Sequence, residues 1–156
     1  MVVTVKRLAA LLFTVCVMGV CVAAHAQQSM KFRGSDGWGF GTRYEQLFDN
    51  YNLKTVIATV VRVDTATPMK DMGVGVRLIV ILDASKEEIP VHLGPMWFAL
   101  KQDVDFPKGE KVEIKGCRTS YMSAEFIMPV EMRRKDRVFR FRDDDGNPFW
   151  CIYRNK

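Results

Sequence analysis

Val74 to Leu82 reads VGVRLIVIL, a run of aliphatic and β-branched side chains interrupted only by Gly75 and Arg77. Pro68 and Gly73 break the chain before it, and the polar stretch Asp83 to Glu87 turns it afterwards. A run this short and this rich in β-branched residues fits a strand covered on both faces better than it fits a helix. The same grammar continues on either side. From Lys54, the residues Val56, Ala58 and Val60 alternate with Ile57, Thr59 and Val61, which predicts a first strand. After the turn, Ile89, Val91 and Leu93 are predicted to face a core, with Glu88, Pro90 and His92 facing out. Pro90 donates no ladder hydrogen bond, which suits a strand with one free side.

Gly94-Pro95 ends that strand, and Pro95 suits the first position of a helix over Met96 to Gln102. Beyond the Phe106 to Gly109 turn, Val112 and Ile114 point inward, while Lys111, Glu113, Lys115 and Cys117 point outward. Phe126, Met128 and Val130 mark the inner face of a fifth strand, and Val138 to Arg142 a sixth, with Phe139 and Phe141 on one side of it and Arg140 and Arg142 on the other. Asp143 to Pro148 reads as a turn, and Phe149 to Tyr153 as a closing apolar strand. Three strands, a short helix and further strands predict a mostly β fold. The expectation is a five-stranded OB-type barrel with its helix between strands 3 and 4 and a C-terminal β-hairpin added. A small β-sandwich satisfies the same strand spacing.

The N-terminus predicts export. Lys6 and Arg7 precede an apolar stretch from Leu8 to Ala24, and Ala24-His25-Ala26 offers the small residues that a signal peptidase accepts. The expected organisation is a signal peptide over 1–26, a flexible Gly-rich leader over 27–43 and one β-barrel domain over 44–156. No transmembrane segment is expected once the signal is removed, and the address is periplasmic or secreted. Cleavage removes Lys6 and Arg7 but no acid, so the +5 net charge of the full sequence becomes +3. That mild balance argues against a nucleic-acid surface. Cleavage also removes Cys16, Cys21 and His25, leaving Cys117, Cys151 and His92. One histidine and two distant cysteines make neither a Cys-x-x-Cys metal site nor a c-type haem motif, so no metal and no cofactor are expected.

Cys117 and Cys151 lie 34 positions apart. In an oxidising compartment an outward thiol favours a disulfide, whose loop closure would contribute roughly 3–4 kcal/mol. Two separate buried thiols, or a redox pair, are the other readings. His92 stands at the strand-to-helix corner with Trp97 close behind. With Arg118 and Tyr121 they form a candidate ligand-binding corner beside the face that OB barrels commonly use. Arg133, Arg134, Lys135, Arg137, Arg140 and Arg142 make a basic run over the 133–142 strand. It reads first as a solvated edge, and otherwise as a contact for an anionic envelope ligand. Met69 and Met72 are too few for a Cu(I) site. Asp143 to Asn147 lacks the distal glutamate of a calcium loop. No nucleophile–base pair or carboxylate dyad follows from the spacing, so no catalytic residue is expected.

These residues also carry a family likeness. It runs through Gly37-Trp38-Gly39, Tyr44 to Asp49, Thr55 to Asp64, Pro68-Met69 to Gly75, and Pro90-Val91-His92-Leu93-Gly94-Pro95 with Trp97. It continues in Pro107-Lys108-Gly109-Glu110-Lys111-Val112-Glu113 and in Phe141-Arg142-Asp143 before Asn147-Pro148-Phe149-Trp150. The chain resembles small exported bacterial OB-fold proteins similar to the C-terminal domain shared by the magnetosome proteins MamS and MamX. The resemblance implies a fold and an address more than a chemistry, and it departs from the usual small residues at Cys117 and Cys151. The expected role is a non-enzymatic binding or interaction module with a protein partner in the cell envelope, accessory to an envelope or redox complex. A small-ligand or metal-binding periplasmic protein is the first alternative, and a single-stranded nucleic-acid-binding protein the second.

Overall fold

The computed structural model describes residues 35–152. The expected signal peptide, the first part of the leader and the last four residues lie outside that range. The fold is mostly β, with six strands and little helix: β1 Leu53–Ala66, β2 Gly75–Leu82, β3 Glu88–Pro95, β4 Lys111–Tyr121, β5 Ala124–Arg134 and β6 Arg137–Arg140. A helix, α1 (Met96–Lys101), separates β3 from β4, and a second, α2 (Phe149–Ile152), closes the described chain. Pro95 caps α1 in extended conformation, the arrangement expected of a helix that starts directly after a strand.

The sheet order is β3-β2-β1-β4-β5-β6, antiparallel throughout, and β3 also meets β5 in parallel through Val91 opposite Ile127. The long β1 makes this possible. Its first half pairs with β4 and its second half with β2, with a register shift between Val60 and Arg62. A bulge there bends the strand and raises its twist. Alternation then sends one face inward. Ala58, Val60, Leu78, Val80, Ile89, Val91, Val112 and Ile114 are all buried in one cluster. Each such aliphatic side chain contributes roughly 1.5–3 kcal/mol over leaving it in water.

The opposite face of β3 and β5 is covered as well. Trp38, Tyr44 and Trp150, which flank the sheet in sequence, are buried on it. The Trp38 indole N–H donates to the Gly73 carbonyl at 2.9 Å, and the Trp150 indole N–H donates to the Trp38 carbonyl at 2.8 Å. The indoles approach the backbone so closely that a Cβ on Gly75 would lie 2.2 Å from the Trp38 ring. One on Gly94 would lie 2.8 Å from Trp150. Arg142, itself buried, forks onto the Glu45 carboxylate, donates to the Gly146 carbonyl at 2.8 Å and lies 3.9 Å over the Phe48 ring. It thereby ties the segment before the sheet to the segment after it.

Several expectations change under this cover. Phe149 to Ile152 is helical, so among the described residues the closing strand and its hairpin are not formed; an isolated bridge, Arg142 to Pro148, precedes the helix. His92 and Cys117 do alternate away from Val91 and Ile114, but they are buried beneath the flanking segments and do not face solvent. Arg142, expected beside Arg140 on a wet face, is buried too. The expected disulfide is not made: Cys117 and Cys151 are free thiols. They sit in different surroundings. The Cys117 sulfur takes the Asp49 N–H at 3.5 Å, whereas the Cys151 sulfur packs where a Cβ on Gly39 would stand.

Candidate functional site

Three strands place one polar row across the face that carries His92, covered at the His92 end and partly open at the other. Asp64 on β1 stands opposite Arg77 on β2, and Arg77 stands opposite His92 on β3. Arg77 donates to the Asp64 carboxylate at 2.8 Å, and that hydrogen bond holds the Asp64 carboxyl below the usual range. His92 Nδ1 lies 3.1 Å from the Tyr44 hydroxyl, and its ring stacks on Phe126 at 4.2 Å. Trp38 meets the same imidazole edge-on at 6.2 Å. Burial first, and the Arg77 cation second, push the His92 pKa down to about 3, so the ring is neutral at physiological pH. Burial holds the Tyr44 hydroxyl firmly protonated. A buried hydroxyl must donate, and Nδ1 is its acceptor among the described residues. The tautomer follows: His92 carries its proton on Nε2.

A cavity of about 210 Å³ opens beside this ring. Ala66 at the end of β1 borders it with Thr67 and Pro68 of the β1–β2 turn, as do Arg77, Pro90 and His92 from β2 and β3, Tyr121 at the end of β4, and Ala124, Glu125 and Phe126 at the start of β5. The sequence-identified corner is therefore partly assembled. His92 and Tyr121 share the wall. Arg118 stands behind it, bidentate on Glu87 at 2.6 and 2.9 Å and bonded also to Glu125. Trp97 lines another part of α1, edge-on to Phe98 at 6.0 Å, and is not in the wall. Sequence reasoning missed Tyr44, Arg77, Glu125 and Phe126. Arg77 was legible as the single charge in the Val74–Leu82 run. Tyr44 carried no comparable signal.

The other candidates resolve in turn. The 133–142 run is not one strand but the end of β5, a turn, β6 and the residues just after it, and each of its cations meets a carboxylate: Arg133 and Arg140 reach Glu131, Arg134 and Lys135 reach Glu110, Arg137 reaches Asp103 and Arg142 reaches Glu45. Exposed pairs of this kind stabilise little, but they leave the run without an open basic face. Asp143 accepts from the N–H groups of Asp145 and Asn147 and from the Asn147 amide, so its carboxylate closes the turn on itself. Among the described residues, no cluster of three His, Cys, Asp or Glu is placed to hold a metal ion. A larger depression of about 420 Å³ lies between α1 and β1–β2. Val63, Val76, Met96, Ala99 and Leu100 make it mostly apolar, and no sequence-identified site residue lines it. No helix among the described residues is long and apolar enough to cross a membrane.

Comparison with curated proteins finds no match. The family model of the MamS/MamX magnetosome proteins matches residues 52–139, which begin just before β1 and end inside β6. The six-stranded sheet is thus the matched unit, and the chain belongs to the MamS/MamX magnetosome protein family.

Proposed function

We propose that this chain is an exported, non-enzymatic binding module of OB type that serves a magnetosome-associated or other envelope complex. The strand order, the helix between β3 and β4 and the β3–β5 pairing support the OB reading. One observation carries the binding role. The His92 cavity sits on the β2–β3 face between the β1–β2 and β4–β5 turns, the surface on which OB folds bind their ligands. The charged groups of the wall are already engaged, Arg77 by Asp64 and Glu125 by Arg118, and this favours recognition over acid–base work. Family membership supports the location, and the Lys6/Arg7, Leu8–Ala24 and Ala24-His25-Ala26 layout supports export.

The test is affinity capture of the tagged, processed protein from its own envelope extract, in parallel with a Tyr121→Asp variant that places a charge in the cavity wall. The expected result is a protein partner held by the native protein and lost with Tyr121→Asp, from a chain whose intact mass lacks residues 1–26. An uncleaved chain would overturn export, and a partner held equally by both proteins would overturn the assignment of the face.

A further inference from the structure

We infer that the His92 cavity binds one neutral, hydroxyl-rich ring, a single sugar residue, with the His92 Nε2–H donating to a ligand oxygen. The inference rests on the binding-module reading above and names its ligand class.

The wall selects for this chemistry in three steps. First, His92 is only 7% exposed, and its Nδ1 is occupied by Tyr44. Nε2 has no hydrogen-bond partner among the described residues, while the ring borders the cavity. A donor held this rigidly by Phe126 and Tyr44 is ready for an acceptor that the protein itself does not supply. Second, the charges around the cavity cancel. Arg77 and Glu125 both border it, and each is bonded to an opposite charge, Asp64 and Arg118. An anion entering would meet the Glu125 carboxylate, and a cation would meet Arg77. A hydroxyl group both donates and accepts, so a neutral polyol satisfies His92, Arg77, Glu125 and Thr67 together. Third, the rest of the lining is apolar, with two aromatic rings, Tyr121 and Phe126, and two flat proline rings, Pro68 and Pro90, beside Ala66 and Ala124. The Arg43 guanidinium lies 5.3 Å from the Tyr121 ring centre and holds that ring in place. At about 210 Å³ the space falls below the ~300–1,000 Å³ of drug-sized pockets, which limits the occupant to about one ring.

The test uses the processed full chain and saturation-transfer NMR. The probes are glucose, galactose and N-acetylglucosamine as neutral sugars, acetate as a small anion, methylammonium as a small cation and N-acetylglycinamide as a peptide-like amide. We expect saturable transfer to at least one neutral sugar, with a shift of the His92 ring N–H resonance. His92→Leu should weaken binding roughly tenfold, the value of one lost hydrogen bond of ordinary strength. His92 is buried, so Tyr121→Ala and Thr67→Val, both at the rim, give the same reading without disturbing the core. Thermal unfolding verifies that each variant is folded. Absence of transfer to any sugar would overturn the proposal. Preference for acetate, methylammonium or the amide, or sugar binding unchanged in both rim variants, would overturn it equally. Envelope capture separates the two readings. Partner capture without sugar binding removes the sugar proposal alone, and loss of both removes the binding face itself.

Discussion

His92 is buried neutral, and the free energy of that choice depends on pH. Its folded pKa of about 3 lies below the ordinary value of 6.5, so protonation favours the unfolded chain. The stability associated with the neutral ring is complete above pH 6.5 and falls as pH drops from there towards 3. The slope for one such group is about 1.4 kcal/mol per pH unit. Urea unfolding at pH 7.5 and pH 5 should therefore show a loss in the native protein that His92→Leu lacks, by about 2 kcal/mol. Equal losses in both proteins would mean that the imidazole is accessible to protons when folded. Gly75 makes a second residue-scale case. A methyl there meets the Trp38 ring at 2.2 Å and the Gly94 carbonyl at 2.5 Å, with backbone on one side and a buried indole on the other. Gly75→Ala should cost about 1–3 kcal/mol by overpacking, read as a lowered thermal midpoint with the fold retained. Before the structure, Gly75 looked only like an interruption in an apolar run. A glycine's reason for being there lies in what approaches it, and Trp38 approaches from 37 positions away.

At the scale of elements, local pattern told which way each side chain points but not what lies over it. The alternation that put Val91 inward and His92 on the other face was sound, as was the pairing of Ile114 inward with Cys117 outward. Whether that other face meets water is a tertiary fact, decided by Trp38, Tyr44 and Trp150 folding back over β3 and β5. The inner cluster, the helix after Pro95 and the turn at Asp143 were legible for the same reason: each depends on neighbours in sequence. The closing segment was not. Phe149 to Ile152 is apolar enough for a strand, but the chain forms a helical turn that buries Trp150 against Phe98 at 5.3 Å. The Arg142–Glu45 pair, 97 positions apart, holds these flanking elements together. Removing one partner of a buried pair leaves the other charge uncompensated. Glu45→Gln should thus destabilise by about 3–5 kcal/mol, whereas the joint replacement Glu45→Leu/Arg142→Met should cost less than Glu45→Gln alone. Chemical denaturation of these two variants and of the single replacements Glu45→Leu and Arg142→Met measures this. A joint variant as unstable as the sum of its parts would show that the pair is not coupled.

The matched family segment and the folding unit differ in extent. Residues 52–139 contain all but the last position of the sheet, yet Trp38, Tyr44, Phe141 and Trp150 lie outside them and are buried on it. Four large side chains at roughly 1.5–3 kcal/mol each contribute about as much as the whole net stability of an ordinary domain, ~5–15 kcal/mol. A fragment of 52–139 should therefore not unfold cooperatively. It should also bind a hydrophobic dye, because His92, Phe126 and Cys117 would lose their cover. A fragment of 35–152 should melt in a single transition. Heating both while following circular dichroism distinguishes the cases: a cooperative melt of 52–139 would mean that the sheet alone is the domain and that the aromatic flanks are an accessory. The second outcome would also move the site. Without the Tyr44 hydroxyl donating to Nδ1, the His92 tautomer would be free, and the donor that faces the cavity would no longer be set by the fold.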